Sequence, residues 1–175
     1  MGRDKALLPL DDSPLLRVVA GRVAEVAGAV TVIAPPQTYD HLGIETVDDL
    51  HPGQGPLAGI ETALSLNRAV DNLIVACDMP NISTVFLRRL LAAAEQTTAD
   101  CLLPVSPDGQ LEPLCAVYRP SCLPAIRSAL DSGTRKIRDV LKTLQVVHFA
   151  IEDREEMVNL NSPEDWLAYL EARRG

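Results

Sequence analysis

Leu73-Ile74-Val75-Ala76-Cys77-Asp78-Met79-Pro80 is an apolar run that delivers one carboxylate at its end and is stopped by proline. Uninterrupted apolar residues of this length read as a strand buried on both faces, inside a parallel sheet. Asp78 then stands at the C-terminal edge of that strand, where open α/β sheets bind ligands. A carboxylate there suits Mg²⁺ and, through the metal, the phosphates of a nucleotide. Pro80 cannot donate to a ladder and keeps Met79 extended, which fixes the turn that aims Asp78. The same aspartate could equally begin a turn or cap the helix after Asn81 and Ser83, so its meaning depends on its company.

Five other segments carry polar or small residues beyond what packing needs. Gly2-Arg3-Asp4-Lys5 places two cations beside the first apolar segment, and the Lys5 ammonium is a compact charge suited to triphosphate oxygens, or simply a solvated basic end. Asp48-Asp49 precedes Gly53-Gln54-Gly55-Pro56-Leu57-Ala58-Gly59. The small residues Gly55, Ala58 and Gly59 let backbone approach a ligand, and a helix N-terminus at Pro56 could serve polar or anionic groups. Either Asp48 or Asp49 could accept two donors from a guanine edge, although Asp-Asp in a loop is more often turn chemistry. Glu112-Pro113-Leu114 offers an acid at a strand mouth. Asn159 and Asn161 would present two amides to one face if extended, or belong to a helix cap. Gly133-Thr134-Arg135-Lys136 is a basic patch in an acidic chain, able to meet a phosphate of a second substrate.

Composition narrows the classes. With 47% hydrophobic residues over 175 positions, one domain with a real core is expected, and aromatics at 3% make that core aliphatic. A formal charge of -8 argues against nucleic acid as a partner, because such surfaces are basic and clustered. No run is long enough for a membrane span and no signal-peptide core is evident, so a cytoplasmic location is expected. The four cysteines, Cys77, Cys101, Cys115 and Cys122, lack the short spacings of metal or redox sites and read as small hydrophobes. His41, His51 and His148 have no Ser, Cys or Asp partner at a recognisable spacing, which leaves a catalytic triad unsupported.

Strand and helix signals alternate. Ser13 and Pro14 predict the N-cap and first position of a helix running to Gly28. Strands are expected over 29–34, 44–47, 73–77, 100–105, 113–118 and 146–151, with helices over 56–66, 83–96, 120–130, 137–144 and 163–173. The turn at Ser106-Pro107-Asp108-Gly109 between two apolar runs predicts one antiparallel pairing. The whole, 1–175, reads as a single α/β domain: a three-layer α/β/α sandwich, Rossmann-like, with a mostly parallel sheet and one antiparallel strand.

In this order the segments resemble the molybdenum cofactor guanylyltransferases, within the wider nucleotidyltransferase group. Met1-Gly2-Arg3-Asp4-Lys5-Ala6-Leu7-Leu8 looks like the second half of the family's opening L-A-G-G-x-S-x-R-M-G-x-D-K-A-L-L. Gly55-Pro56-Leu57-Ala58-Gly59 matches its G-P-L-A-G, and Cys77-Asp78-Met79-Pro80 its C-D-x-P. Glu112-Pro113-Leu114, Gly133-Thr134-Arg135-Lys136 and Asn159-Leu160-Asn161-Ser162-Pro163-Glu164 match later blocks. The resemblance implies transfer of GMP from GTP to molybdopterin-bound molybdenum, with release of pyrophosphate. It assigns Lys5 to the triphosphate, Asp78 to Mg²⁺, and Asp49 with residues 55–59 to the nucleotide. Glu112, Arg135, Lys136, Asn159 and Asn161 fall to the pterin substrate, and apo-molybdoenzymes or their chaperones are the implied recipients. A CTP-using sister enzyme and a non-catalytic nucleotide or pterin carrier are the alternatives.

Two departures from the family pattern carry expectations. Ala34 with Pro35-Pro36 stands where some members place an asparagine, so that base contact is missing or supplied otherwise. The strand and L-A-G-G-x-S-x-R that open the family pattern have no counterpart in the sequence. Either further residues belong to the molecule or it starts at an internal methionine. In the second case, exposed strand edges, weak nucleotide binding and strand exchange between chains are expected.

Overall fold

A computed structural model describes residues 4–152 and 154–173. Its framework is a four-stranded sheet in the order β5 (Asn72–Val75), β7 (Cys115–Tyr118), β6 (Cys101–Val105), β8 (Val146–Ala150). β7 runs antiparallel to both neighbours and β8 runs parallel to β6. One strand therefore opposes three, as the sequence predicts.

Alternation along the strands divides the core into two layers. Leu102, Cys115 and Val117 face α1 (Leu15–Ala27), α3 (Thr84–Ala94) and α6 (Pro163–Ala172), where Val19, Leu87 and Trp166 pack. Trp166 is 7% exposed and stacks on Tyr169, ring centroids 6.1 Å apart. Cys101, Leu103, Ala116 and Tyr118 face the other way, against α2 (Pro56–Ser65), α4 (Leu123–Asp131) and α5 (Ile137–Leu141). Helices on both faces of a mostly parallel sheet make the three-layer α/β/α sandwich.

Several local expectations need correction. Ser13 does not cap α1: β1 (Pro9–Leu10) and β2 (Ser13–Pro14) form a hairpin, and Pro14 precedes the helix in extended conformation. Asp11 and Asp12, at φ 47° and 63°, make the left-handed two-residue turn that aspartate tolerates, and pairing draws Ser13 into the strand. α1 starts instead where Leu15 N–H donates to the Leu8 carbonyl at 2.8 Å. The expected strands 29–34 and 44–47 shrink to β3 (Val32–Ile33) and β4 (Thr46–Val47), a parallel pair of their own. β7 starts at Cys115 because Cys115 N–H turns back to the Glu112 carbonyl at 3.1 Å, and α5 stops at Leu141. The helix end at Gly28 and the capped helix start at Ser162 stand as expected, the latter as a reciprocal capping box with Asp165, and Ser83 caps α3 by accepting from Phe86 N–H.

Between β3 and β5 lies a cavity of about 480 Å³, lined by aliphatic side chains of both strands, α1 and α2. Val32 and Ala34 N–H groups donate to the Glu45 and Val47 carbonyls, just before and within β4, so Ile33 turns its backbone towards the cavity. On the facing edge, Ala76 N–H bonds Leu114 and Ile74 pairs Ala116, which leaves Leu73 and Val75 turned the same way. Among the described residues no strand pairs with either edge.

Candidate nucleotide site

β5 ends at Val75 rather than at Cys77 as expected, and Asp78 follows after two intervening residues, in a turn, lining this cavity with Pro56 and Gly59 of the α2 N-terminus. Its backbone carbonyl accepts from Leu160 N–H at 2.9 Å, which ties the strand end to the segment before α6. Burial pushes the Asp78 carboxyl above its ordinary value, with the nearby Lys5 ammonium opposing the shift. Its Oδ1 is buried without a hydrogen-bond partner. A buried carboxylate oxygen left unmatched is costly unless something charged meets it.

Four sequence-predicted residues gather around it. Lys5, in the short 3₁₀ turn before β1, donates to the Asn161 carbonyl. Asn161 itself is fixed by its N–H donating to Asp165 Oδ2 at 2.8 Å. The Glu112 carboxyl is raised by burial, and the Asp78 charge adds to that, while hydrogen bonds from Asn159 and Gln110 oppose it. Asn159 thus belongs to the carboxylate cluster. It also borders an open cavity of about 730 Å³ between α6 and the Asn81 loop, which Arg22, Tyr169 and Arg173 line.

The loop leading to α2 is shaped by Gly55, whose φ of 81° and ψ of −172° lie where an L side chain is strained. Pro56 then opens the helix, and Leu57 and Ala58 are buried beneath it. Asp48 is exposed, whereas Asp49 Oδ1 accepts from Thr62 Oγ1 and from His51 N–H, each at 3.0 Å. Of the two aspartates, Asp49 is the one held in place.

Arg135 is committed elsewhere: its guanidinium donates to the Leu130 and Thr134 carbonyls at the end of α4. Lys136 precedes α5 as an exposed residue. The cation that reaches Glu112 is Arg138, on α5, which the basic-patch pattern did not single out. Thr62 and Glu61 were missed as well, because polar residues inside a helix carry no spacing signal towards a loop thirteen positions away. Gly2 and Arg3 lie outside the described residues. Among the described residues no group of three or more His, Cys, Asp or Glu is placed to hold a metal by itself, and no helix is long and apolar enough to cross a membrane.

A buried carboxylate just past a strand end, beside a helix that opens on glycine, places the site where open α/β sheets bind ligands, and the enzyme class is nucleotidyltransferase. The chain belongs to the MobA-like NTP transferase family, whose model matches residues 1–148. A protein of Synechococcus elongatus named "Probable molybdenum cofactor guanylyltransferase" is 34% identical over 175 residues, 96% of this chain and 90% of that one. Among solved structures, the molybdopterin-guanine dinucleotide biosynthesis protein A of Archaeoglobus fulgidus superposes with a TM-score of 0.81 at 25% identity, over 99% of this chain and 92% of that one. The 2-C-methyl-D-erythritol 4-phosphate cytidylyltransferase of Thermus thermophilus shares the fold, with a TM-score of 0.74 at 17% identity over 98% and 94% of the two chains.

Proposed function

We propose that this protein transfers GMP from GTP to molybdopterin-bound molybdenum cofactor, forming the guanine dinucleotide cofactor and pyrophosphate, in the cytoplasm. The observation that carries the reading is the buried Asp78 Oδ1 with no partner of its own at the end of β5. The names of the relatives support the choice of substrates.

The donor set fits Mg²⁺: one hard carboxylate oxygen, left unmatched by the protein, suits a cation that takes its remaining ligands from phosphates and water. Bound there, the metal would neutralise charge on the triphosphate. In this reading Lys5 exchanges the Asn161 carbonyl for phosphate oxygens, and the N-terminal turn of α2 lies under the nucleotide. Asp49 addresses the guanine edge. Glu112, Asn159 and Asn161 face the pterin, with Arg138 completing the charge balance that Arg135 and Lys136 were expected to supply. A terminal phosphate oxygen of the pterin attacks the α-phosphorus of GTP in line. The bond to the bridging oxygen breaks and pyrophosphate leaves, a reaction that asks for positioning and charge neutralisation rather than a covalent nucleophile. No nucleic-acid or membrane partner is invoked, and apo-molybdoenzymes or their chaperones would receive the product.

Calorimetric titration with GTP, CTP and ATP, each with and without Mg²⁺, tests the reading. GTP should bind preferentially, more tightly with Mg²⁺, and Asp78→Ala should remove the Mg²⁺ effect. Preference for CTP would assign the chain to cytidylyl transfer, and pterin binding without pyrophosphate release would make it a carrier.

A further inference from the structure

Glu61 and Thr62, adjacent on α2, are buried polar residues at 2% and 1% exposure. Placing a carboxylate and a hydroxyl within an aliphatic layer is unfavourable unless both find partners, and those of Thr62 lie in the loop before α2. Thr62 Oγ1 donates to Asp49 Oδ1 and accepts from Leu50 N–H, both at 3.0 Å. His51 N–H donates to the same Oδ1 at 3.0 Å, and the His51 ring approaches Glu61 Oε2 at 3.7 Å. Glu61 Oε1 in turn accepts from Arg127 of α4 at 2.9 Å, so the helix that grips the loop is itself braced.

We infer that Thr62 is a positioning residue for base recognition: it fixes the Asp49 carboxylate so that only Oδ2 is offered to the nucleotide. The inference rests on the reading of Asp49 as the acid at the guanine edge. Oδ1 has both lone pairs filled by Thr62 and His51, while Oδ2 has no hydrogen bond among the described residues. The guanine edge presents two adjacent N–H donors, which a pinned and unshared oxygen can accept. The cytosine edge presents one donor beside acceptors, and an acceptor set against a fixed carboxylate is repelled. Without the hydroxyl the carboxylate would be held by His51 N–H alone, free to pivot about that one bond, and Leu50 N–H would lose its acceptor. Thr62 itself is inside the protein and acts through Asp49.

Steady-state kinetics of the full chain with GTP and with CTP, using molybdopterin-bound molybdenum as acceptor, test the assignment. Thr62→Val should raise KM for GTP about tenfold with kcat changed less than about twofold, and narrow the preference for GTP over CTP by the same factor. Thr62→Ser should restore both. In an Asp49→Asn background, Thr62→Val should add less than about a twofold further loss, because the group it positions is already altered. Should Thr62→Val fail to fold, Thr62→Ala reads the same comparison. An unchanged GTP KM in a folded variant overturns the inference, as does a full tenfold loss in the Asp49→Asn background. A wild-type protein that turns over GTP and CTP equally overturns the guanylyl reading first, and the role of Thr62 with it.

Discussion

β6 and β7 each have a strand on both edges and side chains buried on both faces, whereas β3 and β4 pair only with each other, over two residues, with half-buried side chains. The residue types are alike, Val-Ile in β3 and Leu-Leu or Ala-Val in β6 and β7, so β-propensity does not separate them. Neighbours do. The smaller piece is held by α1, α2 and an exposed cluster in which Arg68 grips the Glu45 carboxylate while Thr31 bonds both. Arg68 and Thr31 hold Glu45 down at about pKa 2. The comparison teaches that sheet order in this protein follows completed pairing, and that strand-forming sequence alone yields two residues of ladder.

The largest expected contrast is in core truncation. Leu103→Ala, in β6 at 0% exposure, should destabilise the protein by about 3 kcal/mol in urea denaturation, and Ile33→Ala in β3 by about 1 kcal/mol or less, because its side chain already borders a void. Equal losses would break the comparison. Hydrogen exchange should sharpen it: the Val32 and Ala34 amides, bonded to β4, should exchange at least about a hundredfold faster than those of Leu102 and Val117. The smallest effect concerns the boundary itself. Burial holds the Asp78 carboxyl above its ordinary value, so its contribution to stability is fully present below the ordinary aspartate range and is lost as pH rises through the raised folded value. Asp78→Asn should therefore raise Tm by about 2 °C at pH 7, with the gain fading as the pH falls through the raised folded value and gone below about pH 4. A variant that melts lower than wild type at pH 7 would show that the Lys5 charge outweighs the burial of Asp78.

What the sequence made legible follows the same division. The turn at Ser106 to Gly109 and the capped start at Ser162 are local signals, and the structure keeps them, whereas the apolar run before Asp78, read as a strand buried on both faces in a parallel sheet, forms a half-buried strand over Asn72–Val75 that pairs antiparallel to β7. Strand lengths at Val32 and Thr46 depend on a neighbour that periodicity cannot reveal. Ser13 had the right residue type for a cap, but the Asp11-Asp12 turn competed for it and won through pairing. Lys5, Asp78, Glu112, Asn159 and Asn161 were found as separate motifs and meet in space. Thr62 and Arg138 escaped because their partners are distant in sequence and their own segments look like ordinary amphipathic helix.

The stacking of Trp166 on Tyr169 has a spectroscopic consequence. The chain contains one tryptophan, and it is buried between α6 and the α1–α3 layer. Emission excited beyond the tyrosine band is therefore a single-residue signal, and it reports whether the last helix is docked beside the segment that carries Asn159 and Asn161. A red shift at a denaturant concentration where most of the far-UV circular dichroism persists would mark release of α6 ahead of the rest of the fold, read without adding any label to the protein.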